Sequence, residues 1–260
     1  MNTLLIVDVE STGLDPRKDA LIEVGAILFD IKHRAVTHQF SALLPSVAPN
    51  GAEAVNGISD ALLESNAVHR LVGWETCCLQ SFYDKADAVL AHKVSFDRPW
   101  LEPLLRTDDK GQPRNWPLKP WICTLQDVRW ARPGLKANPS LTRLALAHGV
   151  PVWAAHRALT DCTYLAQVLA TREDLLQLLL DAQVPTLLYV ALVTYEDRQL
   201  AKDAGFRWEG HGFLKAWTCY LREDEVSGLP FKVMAVTRPE ELTVEFSGQF
   251  TRSPAFRDGE

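Results

Sequence analysis

Leu4-Leu5-Ile6-Val7-Asp8-Val9-Glu10-Ser11-Thr12-Gly13-Leu14 is an apolar run that ends in two carboxylates spaced two residues apart. The run reads as a buried strand, and a strand sends residues i and i+2 to the same face at about 3.3 Å per residue. Asp8 and Glu10 therefore project side by side. Like charges so placed either take up a proton at raised pKa or find a cation, because burial and repulsion both disfavour the doubly ionised pair. Lys, Arg or a metal ion would each serve, and a pair of solvated acids at a strand end is the plainer reading of an isolated D-x-E.

The 260 residues suffice for one large domain, or a medium one with a small one appended. Hydrophobic residues at 47% and charged residues at 23% are ordinary for a globular protein. No apolar run reaches the roughly 18 residues of a membrane span, and no basic segment leads a long apolar core at the start, so a cytoplasmic protein without a membrane partner is expected. Five cysteines without paired C-x-x-C spacing argue against a disulfide framework or a structural zinc site and are expected to be reduced and mostly in the core. The net charge of -6 carries no nucleic-acid signal. It does not exclude one either, since divalent cations and a few local Lys or Arg residues invert the potential of an acidic centre.

Outward from the first strand, residues 20–29 and 35–44 read as two more strands of a meander. A loop follows over 45–57, then helical pattern over 59–66 with Ser59 as N-cap, and a helix within 72–84. A short strand over 86–92 leads into a helix over 96–106 whose first turn would hold Pro99. Residues 108–120 form a polar loop, 121–124 a strand, 125–130 a segment of helical character broken at Pro133-Gly134, and 140–148 a short helix. An amphipathic helix over 158–170 carries Leu159, Cys162, Leu165, Ala166 and Leu169 on one stripe. Strands first and then strands mixed with helices point to an α/β domain over residues 1–178. A smaller α+β module is expected over 185–260, with a strand over 186–195, a helix over 196–204 closed by Gly205, two strands turning through Gly210-His211-Gly212, and strands over 233–237 and 242–246.

Three further ionisable groups stand in telling contexts. Asp97 lies in His92-Lys93-Val94-Ser95-Phe96-Asp97, just past a strand. His156 and Asp161 lie in His156-Arg157-Ala158-Leu159-Thr160-Asp161. At about 100° per residue, five helical steps would set these two about 140° apart, so His156 is placed on the loop before the helix.

Together the segments Asp8 to Leu14, His92 to Asp97 and His156 to Asp161 resemble, in order and separation, the three motifs of the DEDDh 3′-to-5′ exonucleases, relatives of the proofreading subunit of bacterial DNA polymerase III. Trp121-Ile122-Cys123-Thr124 through Arg132-Pro133-Gly134-Leu135-Lys136 further resembles the exodeoxyribonuclease X members of that group. The resemblance covers roughly residues 3–175 and implies an RNase H-like mixed sheet flanked by helices. It implies two divalent ions, Mg²⁺ with Mn²⁺ as a substitute, held by Asp8, Glu10, Asp97 and Asp161, with Asp8 bridging, and His156 as general base. The related DEDDy enzymes carry Tyr four residues before the last Asp, where this chain has Arg157. Thr12, Gly13, Leu14, Lys93 and Phe96 are implied around the terminal nucleotide, Lys93 departing from the Asn usual in the family. His92 reads as a structural residue at the strand end. The resemblance implies a single-stranded 3′ end as partner, DNA ahead of RNA; an exoribonuclease of the same group and a catalytically idle nucleic-acid-binding protein stand as alternatives.

Ala201-Lys202-Asp203-Ala204-Gly205-Phe206-Arg207-Trp208 and a second Trp, Trp217, resemble an uncharacterised module appended to phage and bacterial DNA-metabolism proteins. Two readings stay open there. Both Trp residues fill a mini-domain core, or Arg198, Lys202, Arg207 and Lys215, interleaved with aromatics, hold a nucleic-acid strand.

Overall fold

The computed structural model describes residues 1–46, 48–68, 73–107, 112–113, 117–130, 135, 138–209 and 215–236. They fall into two compact units, Met1–Leu135 with Pro139–Gln183, and Lys136–Asn138 with Val184–Glu260.

The first unit begins with the antiparallel meander β1 (Thr3–Ser11), β2 (Leu21–Asp30) and β3 (Ala35–Leu43). Helices α1 (Glu53–Asn56), α2 (Asp60–Val68) and α3 (Trp74–Lys85) precede β4 (Ala88–Ala91), then come α4 (Val94–Arg106), β5 (Trp121–Cys123), α5 (Leu141–Ala147), α6 (Ala158–Ala170) and α7 (Leu175–Asp181). β4 adds parallel to β1 and β5 parallel to β4, giving a mixed sheet of order β3-β2-β1-β4-β5. The period-two alternation of β1 feeds two cores. Leu4 and Ile6 pack with Cys162, Leu165 and Leu169 of α6 on one face, while Leu5, Val7 and Val9 pack with Leu79, Trp100 and Leu101 of α3 and α4 on the other. Asp8 and Glu10 continue the Leu4 and Ile6 face, the one that α6 covers. Of the five cysteines, Cys123, Cys162 and Cys219 are buried, Cys78 is half-buried and Cys77 is exposed.

Several local expectations need correction. α4 starts at Val94, so Pro99 sits past its first turn and Pro103 lies within it as well. A helical Pro costs about 3 kcal/mol, and burial of Asp97, Trp100, Leu101 and Leu105 on one side of α4 outweighs it. Residues 125–130 are turns and irregular backbone rather than helix, because side chains take the local backbone groups: Asp127 Oδ2 accepts the Cys123 N–H at 2.7 Å and Trp130 Nε1–H donates to the Thr124 carbonyl at 2.7 Å. The 45–57 loop contains α1, closed by Gly57 at φ 66°, a left-handed conformation glycine adopts freely. Ser59 caps α2 as expected, accepting the Leu62 N–H at 3.2 Å. α7 has no counterpart in the sequence reading.

The second unit pairs β6 (Leu187–Ala191), β7 (Arg207–Glu209), β8 (Ala216–Leu221) and β9 (Val233–Val236) in the order β7-β8-β6-β9, with α8 (Arg198–Asp203) and α9 (Glu223–Val226). Tyr189, Ala201, Phe206, Cys219 and Leu221 form its core. The Pro133-Gly134 break, the Gly210-His211-Gly212 turn and the expected strand over 242–246 lie outside the described residues. No helix among the described residues is long and apolar enough to cross a membrane.

Candidate active site

Gly25 lies opposite Asp8 in the β1·β2 register. A Cβ there would stand 2.4 Å from the carbonyl carbon of Ala158 and from the Leu159 nitrogen. Only glycine lets the first turn of α6 rest directly on the strand beside Asp8. From that same first turn of α6, Asp161 reaches the same place, and single oxygens of Asp8, Glu10 and Asp161 lie within 4.8 Å of one another. The parallel pairing of β1 with β4 ends at Ile6 and Leu90; beyond it, the first turn of α4 brings in Asp97, which is 2% exposed. Four far-separated carboxylates therefore converge at the end of β1.

Their electrostatics follow from burial and from their closeness to one another. Burial, then the charges of Asp97, Asp161 and Glu10, push Asp8 well above the usual carboxylate range. Burial and the charges of Asp161, Glu23 and Asp97 push Glu10 to about 8. Burial lifts Asp97 to about 7, against the pull of the Val9 and Lys93 amides. Burial lifts Asp161 to about 6, opposed by His156. Asp97 Oδ1 and Asp161 Oδ1 are buried and accept no hydrogen bond. Orphaned buried acceptors are rare unless an ion or water completes them. Hard oxygen donors in this number suit Mg²⁺ or Mn²⁺ and offer no soft ligand, so the residues present fit a divalent cation.

His156 sits on the loop before α6, as expected, with Arg157 at the N-cap. Its φ is 64°, a left-handed conformation uncommon for a residue with a Cβ. The His156 N–H donates to Asp161 Oδ2 at 3.3 Å and its side chain is exposed. Tyr164 holds the approach to this loop, its hydroxyl accepting the Trp153 and Ala154 N–H groups at 2.9 Å each.

Sequence reasoning missed Glu23. It is 2% exposed and stands opposite Glu10 in the strand register. Arg157 meets it with Nη2 at 2.8 Å from Oε1 and Nε at 3.0 Å from Oε2, and the Ala158 N–H donates to Oε2 at 3.0 Å. One carboxylate thus fixes both the arginine and the N-terminus of the helix that carries Asp161. Asn50 and Asn56 were missed too. Asn50 Nδ2 donates to Asn56 Oδ1 at 2.9 Å, and Asn56 Nδ2 to the Ser11 carbonyl at 3.4 Å, tying the loop after β3 to the end of β1. The repeated Asn-Gly pairs, Asn50-Gly51 and Asn56-Gly57, were the available signal for tight turns there.

The residues implied around a nucleotide divide. Thr12 is buried and spends its hydroxyl on the Ala20 N–H at 2.9 Å. Gly13 accepts the Ser11 hydroxyl at its carbonyl. Leu14, by contrast, is 83% exposed. Lys93 is exposed with its Nζ 5.8 Å from the Phe96 ring centre, and Phe96 packs edge-on against Trp100 at 6.2 Å. His92 lies 3.0 Å from Thr124 through Nδ1, and burial lowers it to about 4, so it stays neutral as a structural residue.

A mixed sheet covered by helices, with acids from β1, α4 and α6 gathered at one end, defines an RNase H-like domain with an acidic centre. The family model described as Exonuclease matches residues 5–169, and the chain belongs to that family, as its three motifs implied. DNA polymerase III subunit epsilon of Treponema pallidum is 32% identical over 167 residues, covering 63% of this chain and 73% of that protein. The same subunit of Aquifex aeolicus is 28% identical over 170 residues, covering 64% and 78%. A zinc-bound complex of E. coli ExoI with single-stranded DNA has a similar fold, with TM-score 0.55 at 17% identity over 73% of this chain and 48% of that one. Residues 187–236 match a domain of unknown function, DUF8626.

The Glu23 contacts make a prediction. Glu23→Gln keeps an acceptor for the Ala158 N–H but loses the charge that holds Arg157, so Asp161 is less well fixed. The nuclease turnover rate should fall about tenfold to a hundredfold, the scale of a misplaced group, with KM little changed. Unaltered steady-state kinetics in a folded Glu23→Gln variant would show that the clamp plays no part in positioning.

Proposed function

We propose that this protein is a metal-dependent 3′-to-5′ exonuclease acting on single-stranded DNA ends and releasing nucleoside monophosphates, with residues 1–178 as the catalytic domain and 185–260 as an accessory module. The observation that carries the reading is the quartet of Asp97, which is buried, and Asp8, Glu10 and Asp161, which are half-buried, with two carboxylate oxygens that accept no hydrogen bond. Asp8, Glu10 and Asp161 would hold one divalent cation and Asp8 with Asp97 a second. Bound there, Mg²⁺ or Mn²⁺ supplies charge stabilisation for the attacking and leaving oxygens of a phosphodiester. His156, exposed beside Asp161, takes the proton from the attacking water. Leu14 and Phe96 offer apolar surface to the terminal nucleoside, the backbone of Thr12 and Gly13 lines the same pocket, and the Lys93 ammonium attracts its phosphate. DNA is favoured because the curated relatives are DNA polymerase III subunits and the similar ExoI structure holds single-stranded DNA.

The test is an oligonucleotide labelled at its 5′ end, offered as DNA and as RNA. The reading expects progressive shortening from the 3′ end with Mg²⁺, abolished by EDTA and faster on DNA. Faster shortening of RNA would make the protein an exoribonuclease, and binding without shortening would make it a scaffold.

A further inference from the structure

The second unit contains a cleft of about 150 Å³ lined by Ala191, Val193, Tyr195, Arg198, Trp208 and Trp217. A cavity of about that volume accepts one aromatic ring. Trp208 and Trp217 are directly opposed across β7 and β8, their ring centres 5.6 Å apart. Trp208 is 43% exposed and lies outside the module's core, so only Trp217 packs against that core, in part. The reading in which both indoles fill the interior is thereby corrected. Beside the indoles, Tyr195 is 59% exposed and the Arg198 guanidinium stacks 3.8 Å from its ring centre, fixed by a 2.6 Å hydrogen bond from Nη1 to the Tyr195 carbonyl. The Lys202 ammonium lies 5.5 Å from the Trp217 ring centre, Arg207 is the first residue of β7, next to Trp208, and Lys215 immediately precedes β8. Among the described residues none of these four cations is paired with a carboxylate.

A ring-sized apolar cleft with an exposed aromatic wall and unneutralised cations around it matches one ligand chemistry well: a flat base joined to a phosphate chain. We propose that this cleft is a second nucleic-acid site, which stacks one base of a single strand between Trp208 and Tyr195 while Arg198, Lys202 and Lys215 meet the flanking phosphates. The aromatic wall reads no sequence, and the site needs neither the direction nor the sugar preference of the nuclease.

The experiment uses the full chain in EDTA, so that nothing is cleaved, with labelled oligothymidylate and oligouridylate followed by fluorescence anisotropy across a salt series. Trp208→Ala should weaken both about tenfold or more, the scale of one lost stacked base, whereas Trp208→Phe keeps most of the affinity. Arg198→Gln should flatten the dependence of log affinity on log salt by about 0.7, one phosphate contact to a single strand. Ultraviolet crosslinking of a 5-iodouracil oligonucleotide should label Tyr195 or Trp208. With Mg²⁺ restored, cleavage of a dinucleotide should be the same in all three variants and the parent; a parent that cleaves nothing would sink the proposed activity and leave the binding result standing. Unchanged affinity and salt slope in both Trp208→Ala and Arg198→Gln, or crosslinks confined to residues 1–178, overturns the site and leaves the aromatic cleft to a protein partner.

Discussion

Asp8→Asn should abolish nuclease activity and at the same time stabilise the metal-free protein at alkaline pH. The loss is expected to be about a thousandfold or more, because on the proposed reading Asp8 would be shared by two cations and carry several kcal/mol of charge stabilisation, and each 1.36 kcal/mol is a factor of about ten. The stability change has a definite sign. Acids whose pKa is raised in the folded state bind more protons there than in the unfolded chain, so their contribution is fully present below the ordinary carboxylate values and is lost as pH rises from there through the folded values. With Asp161 at about 6, Asp97 at about 7 and Glu10 at about 8, the metal-free protein should lose stability steadily between pH 5 and pH 8. Asp8 carries a strongly raised pKa of its own, and removing its charge should flatten that slope. Each kcal/mol recovered raises the melting temperature about 2–4 °C in a protein of this size. Melting curves in EDTA at both pH values, set beside the activity assay, check the pair of effects. A variant that loses activity while melting lower at pH 8 would mean that Asp8 supports the fold rather than a cation.

His156→Gly should slow the reaction by about 10²–10⁴-fold, the usual worth of a general base, without weakening the fold. At φ 64° a residue with a Cβ is strained and glycine is not. Melting at or above the parent temperature is therefore expected, together with partial recovery of rate when free imidazole is supplied. His156→Ala is the less informative change, since it keeps the strain while deleting the ring. Parent-like rates in His156→Gly would remove this residue from the proposed chemistry and pass the proton to solvent.

The four acids that the fold brings together were legible because each lies in a short motif, and the three motifs in order resemble a known family. Asp8 and Glu10 are fixed by strand periodicity, and Asp97 and Asp161 sit in short motifs tied to the first turns of α4 and α6. What escaped reading depends on contacts between distant segments. Glu23 looks like any acid interrupting an apolar strand until the register sets it across from Glu10 and within reach of Arg157. The start of α4 escaped because packing of Trp100, Leu101 and Leu105 overrides the local cost of Pro99. The turns over 125–130 escaped because Asp127 and Trp130 claim backbone partners that a helix would have used. In the module, the paired indoles at Trp208 and Trp217 looked like core residues by type; the register sets both on one face of the sheet, and Trp208, on the edge strand β7, is left 43% exposed there.

The most direct measurement is a calorimetric titration of Mn²⁺ into the metal-free chain at pH 7, repeated in buffers of different ionisation enthalpy. Glu10 near 8 and Asp97 near 7 hold protons there that a bound cation must displace. Saturable binding with net proton release, lost in Asp8→Asn, is the result expected. No saturable binding, or binding that releases no proton and survives Asp8→Asn, would contradict a cation cradle at the end of the first strand.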